Sequence, residues 1–301
     1  MKWPFTSLRI LVIGVFISLA KGQSPFVMDS TLSSIIPQSI SNSIQIADIN
    51  NDGYNDIIYS GYDPTRSGLF IDVIRCNNEG TLSQGYQTNF TTYPDTIAEF
   101  MGGLGNISLA DVNLDGYIDI YINGSAKSKL LFNSSGSSFN ESSWLENMSV
   151  TYSYGTWADA NMDGRPDLFL MGVNEFSDNI LNELFINQSN NLVKDPTTIF
   201  PSLFTGSNTW GDYDNDGDPD LIISGQTANP NSSVSRLYQN DPIGRLTEVT
   251  TATAIKGLKA GTSHFTDLDS DGDLDLIVTG WNKIEGKLTT SLLENEPLGT
   301  F

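Results

Sequence analysis

Five copies of one acidic nonapeptide, short apolar runs on either side of each copy, and a spacing of about 50 residues together predict an all-β chain. Repeats of this size, each made of several short strands and turns, are the blades of a β-propeller. The predicted fold is therefore a β-propeller of four-stranded antiparallel blades, with five repeats visible. The copies are Asp48-Ile-Asn-Asn-Asp-Gly-Tyr-Asn-Asp56, Asp111-Val-Asn-Leu-Asp-Gly-Tyr-Ile-Asp119, Asp159-Ala-Asn-Met-Asp-Gly-Arg-Pro-Asp167, Asp212-Tyr-Asp-Asn-Asp-Gly-Asp-Pro-Asp220 and Asp267-Leu-Asp-Ser-Asp-Gly-Asp-Leu-Asp275. All read D-x-[DN]-x-D-G-x-x-D, and their starts lie 63, 48, 53 and 55 residues apart.

The flanks repeat as well. A large apolar residue stands two places before each first Asp: Ile46, Leu109, Trp157, Trp210 and Phe265. A strand-length apolar run follows each last Asp, as in Asp220-Leu-Ile-Ile-Ser. Thirteen residues after each first Asp comes a Gly: Gly61, Gly124, Gly172, Gly225 and Gly280. A second apolar run then ends in Asn77, Asn133, Asn187, Asn240 and Asn295, followed by Leu82, Phe139, Leu192, Leu246 or Phe301. Phe26 stands in the phase of Phe139 and Leu246. Either the ring closes with five blades, the Phe26 strand completing the last, or the chain is the N-terminal part of a longer ring. The lack of a polar capping tail after Phe301 favours the fragment.

Of the 301 residues, 15 are Lys or Arg and 36 are Asp or Glu, a formal net charge of −21. Such acidity excludes a general nucleic-acid or anionic-membrane binder, because phosphate binding needs a basic footprint. The lone Cys76 excludes an internal disulfide framework, and the lone His264 excludes multi-histidine metal chemistry. The five nonapeptides hold 19 of the 36 acids, three in each of the first three and five in each of the last two. The acidity belongs largely to the loops.

Carboxylates at loop positions 1, 3, 5 and 9 around a Gly at position 6 are what a hard cation wants. The Gly supplies the bend, alternate side chains converge, and the position-7 carbonyl turns inward. Calcium suits flexible loop oxygens better than magnesium does. The competing reading is an Asx-rich turn that holds no metal. An EF-hand needs Glu at position 12, where this chain has Tyr59, Ile122, Leu170, Ile223 and Val278.

The loops, the apolar residue before them, the Gly at +13 and the closing L-[FY]-x-N…G-x-F segment resemble FG-GAP/VCBS repeats, the family that includes the integrin α-subunit propeller. The resemblance spans roughly residues 26–301. It implies calcium in hairpin loops on one rim, up to five ions here, and usually seven blades; five units therefore leave closure open. By the same resemblance the first loop's ligands are Asp48, Asn50, Asp52, Asp56 and the Tyr54 carbonyl. In the second they are Asp111, Asn113, Asp115, Asp119 and the Tyr117 carbonyl. In the third they are Asp159, Asn161, Asp163, Asp167 and the Arg165 carbonyl. The fourth offers Asp212, Asp214, Asp216, Asp220 and the Asp218 carbonyl, and the fifth Asp269 and Asp271 with Asp267, Asp275 and the Asp273 carbonyl. Asn stands at position 3 in the first three loops. The extra acids of the last two predict tighter binding there.

Residues 1–22 read as a signal peptide: Lys2 and Arg9, an apolar run from Ile10 to Ala20, and small residues before a cleavage point after Gly22. That run is too short for an ordinary transmembrane helix, and the remaining chain, 23–301, shows no membrane span. Sequons at Asn89, Asn106, Asn123, Asn133, Asn140, Asn147, Asn187 and Asn231 fit an exported glycoprotein.

Other chemistry is sparse. His264 beside Phe265 reads as structural, Cys76 as a small buried hydrophobe, and Gly102-Gly-Leu-Gly105 as a loop. Trp157 and Trp210 read as core, whereas Trp144 and Trp281 are candidates for stacking on sugars. No catalytic residue is recognisable. The expected protein is a secreted, calcium-binding adhesion or binding module for an extracellular protein or glycan. The alternatives are a propeller-based polysaccharide lyase or hydrolase, and the ectodomain of a membrane-tethered, integrin-like receptor.

Overall fold

The computed structural model describes residues 40–63, 68–77, 82–92, 106–123, 128–145, 150–174, 179–252, 254–295 and 301. The leader, Phe26, Gly124, Asn147 and Gly102–Gly105 lie outside the described residues. Blade one comprises β1 (Ile40–Ala47), β2 (Asp56–Asp63), β3 (Gly68–Cys76) and β4 (Leu82–Thr92). Blade two is β5 (Asn106–Ala110), β6 (Asp119–Asn123), β7 (Lys129–Ser134) and β8 (Ser138–Glu141). Blade three is β9 (Val150–Ala158), β10 (Asp167–Asn174), β11 (Ile180–Asn187) and β12 (Leu192–Lys194). Blade four is β13 (Leu203–Gly211), β14 (Asp220–Thr227), β15 (Ser233–Gln239) and β16 (Thr247–Glu248). Blade five shows β17 (Lys259–Thr266), β18 (Asp275–Asn282) and β19 (Lys287–Leu293). Each is an antiparallel meander in chain order, and no helix occurs among the described residues. The inner strands stand side by side in the order β1, β5, β9, β13, β17. This is the β-propeller architecture that the repeat predicts.

Four hydrophobic cores lie between blades, as stacked repeats require, and a fifth, of Tyr59, Phe70 and Ile74, lies within blade one. Ile49, Ile58 and Ile71 of blade one meet Ile107, Ile120 and Phe139 of blade two. Val112 and Tyr121 meet Leu168 and Leu192, Ala160 and Phe169 meet Leu221 and Leu246, and Tyr213 and Ile222 meet Leu276 and Phe301. The second residue of each of the first four loops is thus covered by the apolar residue that closes the next blade. The Tyr213 and Phe301 rings lie 5.8 Å apart. In the fifth loop the equivalent Leu268 is 45% exposed. Leu288 and Leu292 are exposed on the same blade, and among the described residues no comparable seam joins blade five back to blade one.

Polar groups fix the register. The last Asp of every loop is buried and spends both oxygens on backbone N–H groups. Asp167 accepts from Ala160 at 3.0 Å and Asn187 at 2.8 Å, and Asp220 from Tyr213 and Asn240 at the same distances. Asp56, Asp119 and Asp275 repeat the arrangement with Ile49 and Cys76, Val112 and Asn133, and Leu268 and Asn295. One carboxylate thereby ties its loop to the end of the third strand.

The Asn held by that carboxylate then reaches back to the preceding blade. Asn133 Nδ2 donates to the Ile49 carbonyl at 2.8 Å, Asn187 to Val112 at 2.7 Å and Asn240 to Ala160 at 2.7 Å, and Asn295 donates to Tyr213. Asn133, Asn187 and Asn295 also donate to their own loops, at Ile118, Pro166 and Leu274. In blade one this place belongs to Cys76, so aligning Asn77 with the other four is wrong by one residue. Cys76 is half-buried beside Ile74 rather than fully enclosed. Burial also corrects two of the sequons. Asn133 and Asn187, at 2% and 0% exposure, are clips whose amides are engaged and are not glycan acceptors in the folded chain; Asn140 and Asn231 are exposed.

The glycine at +13 has a steric origin. Opposite Gly225 and Gly280 the inner strand bulges, and a Cβ on either would fall 3.0 Å from the Phe204 carbonyl oxygen or 2.9 Å from that of Lys259.

Replacing Asn187 with Ala removes the amide that bonds the buried Val112 carbonyl and the half-buried Pro166 carbonyl. Denaturant unfolding is expected to show a loss of about 2–3 kcal/mol. A loss within error of zero would show that the clip is idle.

Candidate metal centres

Each acidic loop joins the first strand of its blade to the second. Position 4 is left-handed in all five, at Asn51, Leu114, Met162, Asn215 and Ser270, with φ between 57° and 66°. Glycine follows two residues later with φ between 84° and 99°. Nothing lies within 4 Å of a Cβ added at these glycines, so conformation and not space requires them. In the first four loops the position-1 carboxylate accepts the N–H groups of positions 5 and 6, as Asp48 does from Asp52 at 3.1 Å and Gly53 at 2.7 Å. Loop five differs: Asp267 accepts from Ser270 at 2.7 Å.

Positions 3 and 7 divide the loops into two kinds. In the first three, the position-3 amide satisfies the position-5 carboxylate: Asn50 to Asp52 at 3.0 Å, Asn113 to Asp115 at 3.0 Å, Asn161 to Asp163 at 2.9 Å. In the fourth and fifth, an acid replaces that amide, and a second acid stands at position 7. Asp212, Asp214 and Asp216 bring carboxylate oxygens within 4.8 Å of one another, and so do Asp267, Asp269 and Asp271.

Several of these oxygens are buried with nothing to bond. Asp218 is 2% exposed, and neither of its oxygens has a hydrogen-bond partner. Asp214 Oδ1 and Asp273 Oδ1 share that condition. Two ionised carboxylates hold no donor between them, so the metal-free loop holds a proton to a higher pH than a solvated Asp does. Burial, and then the neighbouring Asp216 carboxylate, which favours a protonated Asp218, push Asp218 up to about 6. A hydrogen bond with Asp271, and then burial, push Asp273 up to about 6. Buried carboxylates that lack donors need a cation or a proton. The residues of loops four and five therefore fit a hard divalent ion.

The structure gathers the sequence-derived ligands selectively. Positions 1, 3 and 5 converge in loops four and five. The position-9 residues Asp56, Asp119, Asp167, Asp220 and Asp275 turn both oxygens to backbone N–H groups, so an ion would have to share them. The Asp218 side chain joins the fourth loop's interior, although only its carbonyl was expected there. The left-handed residue at position 4 has no sequence signal in Leu114 or Met162.

Beside the loops the inner strands enclose a cleft of about 380 Å³. Trp157, Trp210, Leu109 and Ile46 wall it with Gln45, Ser108, Thr156 and Thr209. The two tryptophans also pack edge-on against Tyr121 and Phe169, so they serve core and cleft together. Trp144 packs against Phe132 at 5.0 Å in the core between blades two and three, which removes it as a stacking candidate. Trp281 is half-buried and His264 exposed, both on blade five.

Residues 111–170, 159–223 and 212–278 match the FG-GAP-like repeat family, and together they span more than half of the chain. A comparison with curated proteins finds no match. Among solved structures, an Agrocybe aegerita lectin described as recognising non-reducing terminal N-acetylglucosamine is similar at 18% identity. The match covers 85% of this chain and 66% of that one, with a TM-score of 0.52. A Penicillium chrysogenum α-L-arabinanase matches at 10% identity over 88% of each chain with a TM-score of 0.43. A Bacteroides thetaiotaomicron endo-1,4-β-xylanase matches at 11% identity over 87% of this chain and 92% of that one, with a TM-score of 0.42. The lectin's likeness is one of fold, and the two enzymes decide nothing about activity.

The raised carboxylates give the metal-free protein a signed pH dependence. Asp218 and Asp273 stand at about 6 and Asp220 at about 8, against 3.8 for an ordinary Asp. Burial is the largest cause for Asp218 and Asp220. The unfolded chain gives up these protons first, so folding stability falls as pH rises from about 4 to about 8. In chelator, the melting temperature is expected to be higher at pH 5 than at pH 8, and calcium should flatten the slope. A chelated protein that melts higher at pH 8 contradicts this.

Proposed function

Because the chain belongs to the FG-GAP-like repeat family, we propose that it is a secreted, calcium-stabilised propeller that serves as an extracellular binding module for a glycan or protein. The observation that carries this reading is the fourth loop, where the buried Asp218 carboxylate has no donor and faces three more acids. Two like charges 4 Å apart repel by about 4 kcal/mol at an effective dielectric of 20. A divalent cation would turn that repulsion into attraction. Asp214, Asp216 and Asp218, with Asp212, would hold it in loop four; Asp267, Asp269, Asp271 and Asp273 would hold it in loop five. Calcium here organises rim loops and adds its binding energy to folding.

The cleft supports the binding half of the proposal. Its described lining carries indole, amide, hydroxyl and aliphatic groups but no Asp, Glu, His, Lys or Arg. Aromatic faces with a few hydroxyls and amides suit a neutral sugar or a peptide segment. General acid–base chemistry needs paired titratable groups, and this wall supplies none. The lectin's described recognition of a sugar agrees with a glycan ligand.

Melting residues 23–301 with calcium and with chelator tests the metal. At a hundredfold excess over Kd, one site adds about 2.7 kcal/mol, which is roughly 5–10 °C for a chain of this size. Asp218→Asn is expected to raise the melting temperature in chelator and to shrink the calcium response. No calcium response in the parent chain would overturn the proposal. A glycan array probed with the calcium-loaded chain decides the ligand class: bound spots assign a glycan, and a blank array assigns the site to protein.

A further inference from the structure

Loop three departs from its neighbours in one respect that calcium binding cannot ignore. Its position-7 residue is Arg165, whose Nη2 is ion-paired with Asp163 Oδ2. Arg165 Nε donates to the Asn187 carbonyl at 2.7 Å, so the guanidinium is braced by the residue that clips blade three to blade two. Loops four and five carry acid against acid at these two positions, Asp216 with Asp218 and Asp271 with Asp273.

The rest of loop three is saturated. Asp159 accepts from Asp163 and Gly164 at 2.9 and 2.8 Å, and Asp167 accepts from Ala160 and Asn187. Asp163 Oδ1 takes the Arg165 N–H at 3.0 Å, while its Oδ2 also takes the Asn161 amide. Every carboxylate oxygen of this loop has a donor, and none of its side-chain oxygens is among the buried atoms that lack one.

We infer that Arg165 is a built-in cation that takes the place of calcium in the third loop, so this loop keeps its shape without metal while loops four and five depend on it. A planar guanidinium fork suits the role, because it neutralises a carboxylate and bonds a carbonyl in one plane. A divalent ion entering loop three would meet a fixed positive charge and would have to displace it from Asp163. In loops three, four and five the residue at position 7 then sets the metal requirement: acid demands an ion, arginine refuses one.

The inference rests on the calcium reading of loops four and five, and calcium counting separates the two. Bound calcium is measured by elemental analysis after equilibrium dialysis of the full chain. The parent chain must hold calcium; if it holds none, the calcium reading fails. The double substitution Asn161→Asp with Arg165→Asp is expected to gain one calcium per chain. Arg165→Gln is expected to lower the melting temperature in chelator and leave most of that loss recoverable in calcium. The reverse exchange, Asp218→Arg, is expected to lose one calcium and to narrow the gap between melts in calcium and chelator. If the parent binds calcium but the double variant gains none while folding normally, the role given to Arg165 is overturned. Should the double variant fail to fold, an unchanged calcium count in Asp218→Arg overturns it equally.

Discussion

A buried carboxylate with two backbone N–H donors holds this protein together. The last Asp of each acidic loop lies out of solvent and accepts one bond from the loop's own second residue and one from the end of the third strand. The loop donor lies outside the sheet, so the bond pair fixes a geometry that strand pairing alone would leave free. It closes the loop, points the second residue into the core between blades, and sets the following Asn to bond the blade behind. Removing the acid would leave two buried N–H groups without acceptors, a cost of about 1–3 kcal/mol each. The same burial raises Asp119, Asp167 and Asp220 to about 6, 7 and 8. The pin therefore works under electrostatic load.

Much of this was legible in the sequence because the loops repeat in register. The D-x-[DN]-x-D-G-x-x-D frame located every first-to-second-strand connection, and the apolar residue that closes each unit marked where Phe139, Leu192, Leu246 and Phe301 would pack. What escaped were relations over long distance. Asn133 and Asn187 looked like sequons because their amide partners, Ile49 and Val112, lie 84 and 75 residues away. Cys76 hid the same place in blade one by having another side chain. Leu114 and Met162 give no hint of a left-handed backbone, since φ at that position is imposed by the hydrogen bonds of Asp111 and Asp159 around it. Trp144 sits outside the repeated positions, yet Phe132 supplies it with a core contact that spacing does not reveal.

One backbone frame thus carries several electrostatic solutions. Position-3 amides quiet the first three loops, a guanidinium neutralises the third, and clustered acids leave the fourth and fifth unsettled. Adjacent loops also touch: Asn51 donates to the Gly116 carbonyl at 2.7 Å, so the rim is partly tied together without metal. Rigidity in the first three blades therefore has a protein-internal source. In the last two, Asp212, Asp214 and Asp216, and Asp267, Asp269 and Asp271, stand together without a position-3 amide or a guanidinium to neutralise them.

The clips all run one way. Each Asn at the end of a third strand bonds a carbonyl in the blade that precedes it in the chain, and each closing apolar residue covers a side chain of that same earlier blade. During synthesis, a blade leaving the ribosome finds its docking partner already made and never has to wait for one still unwritten. Assembly can advance with translation, each new blade sealing one face of the blade before it.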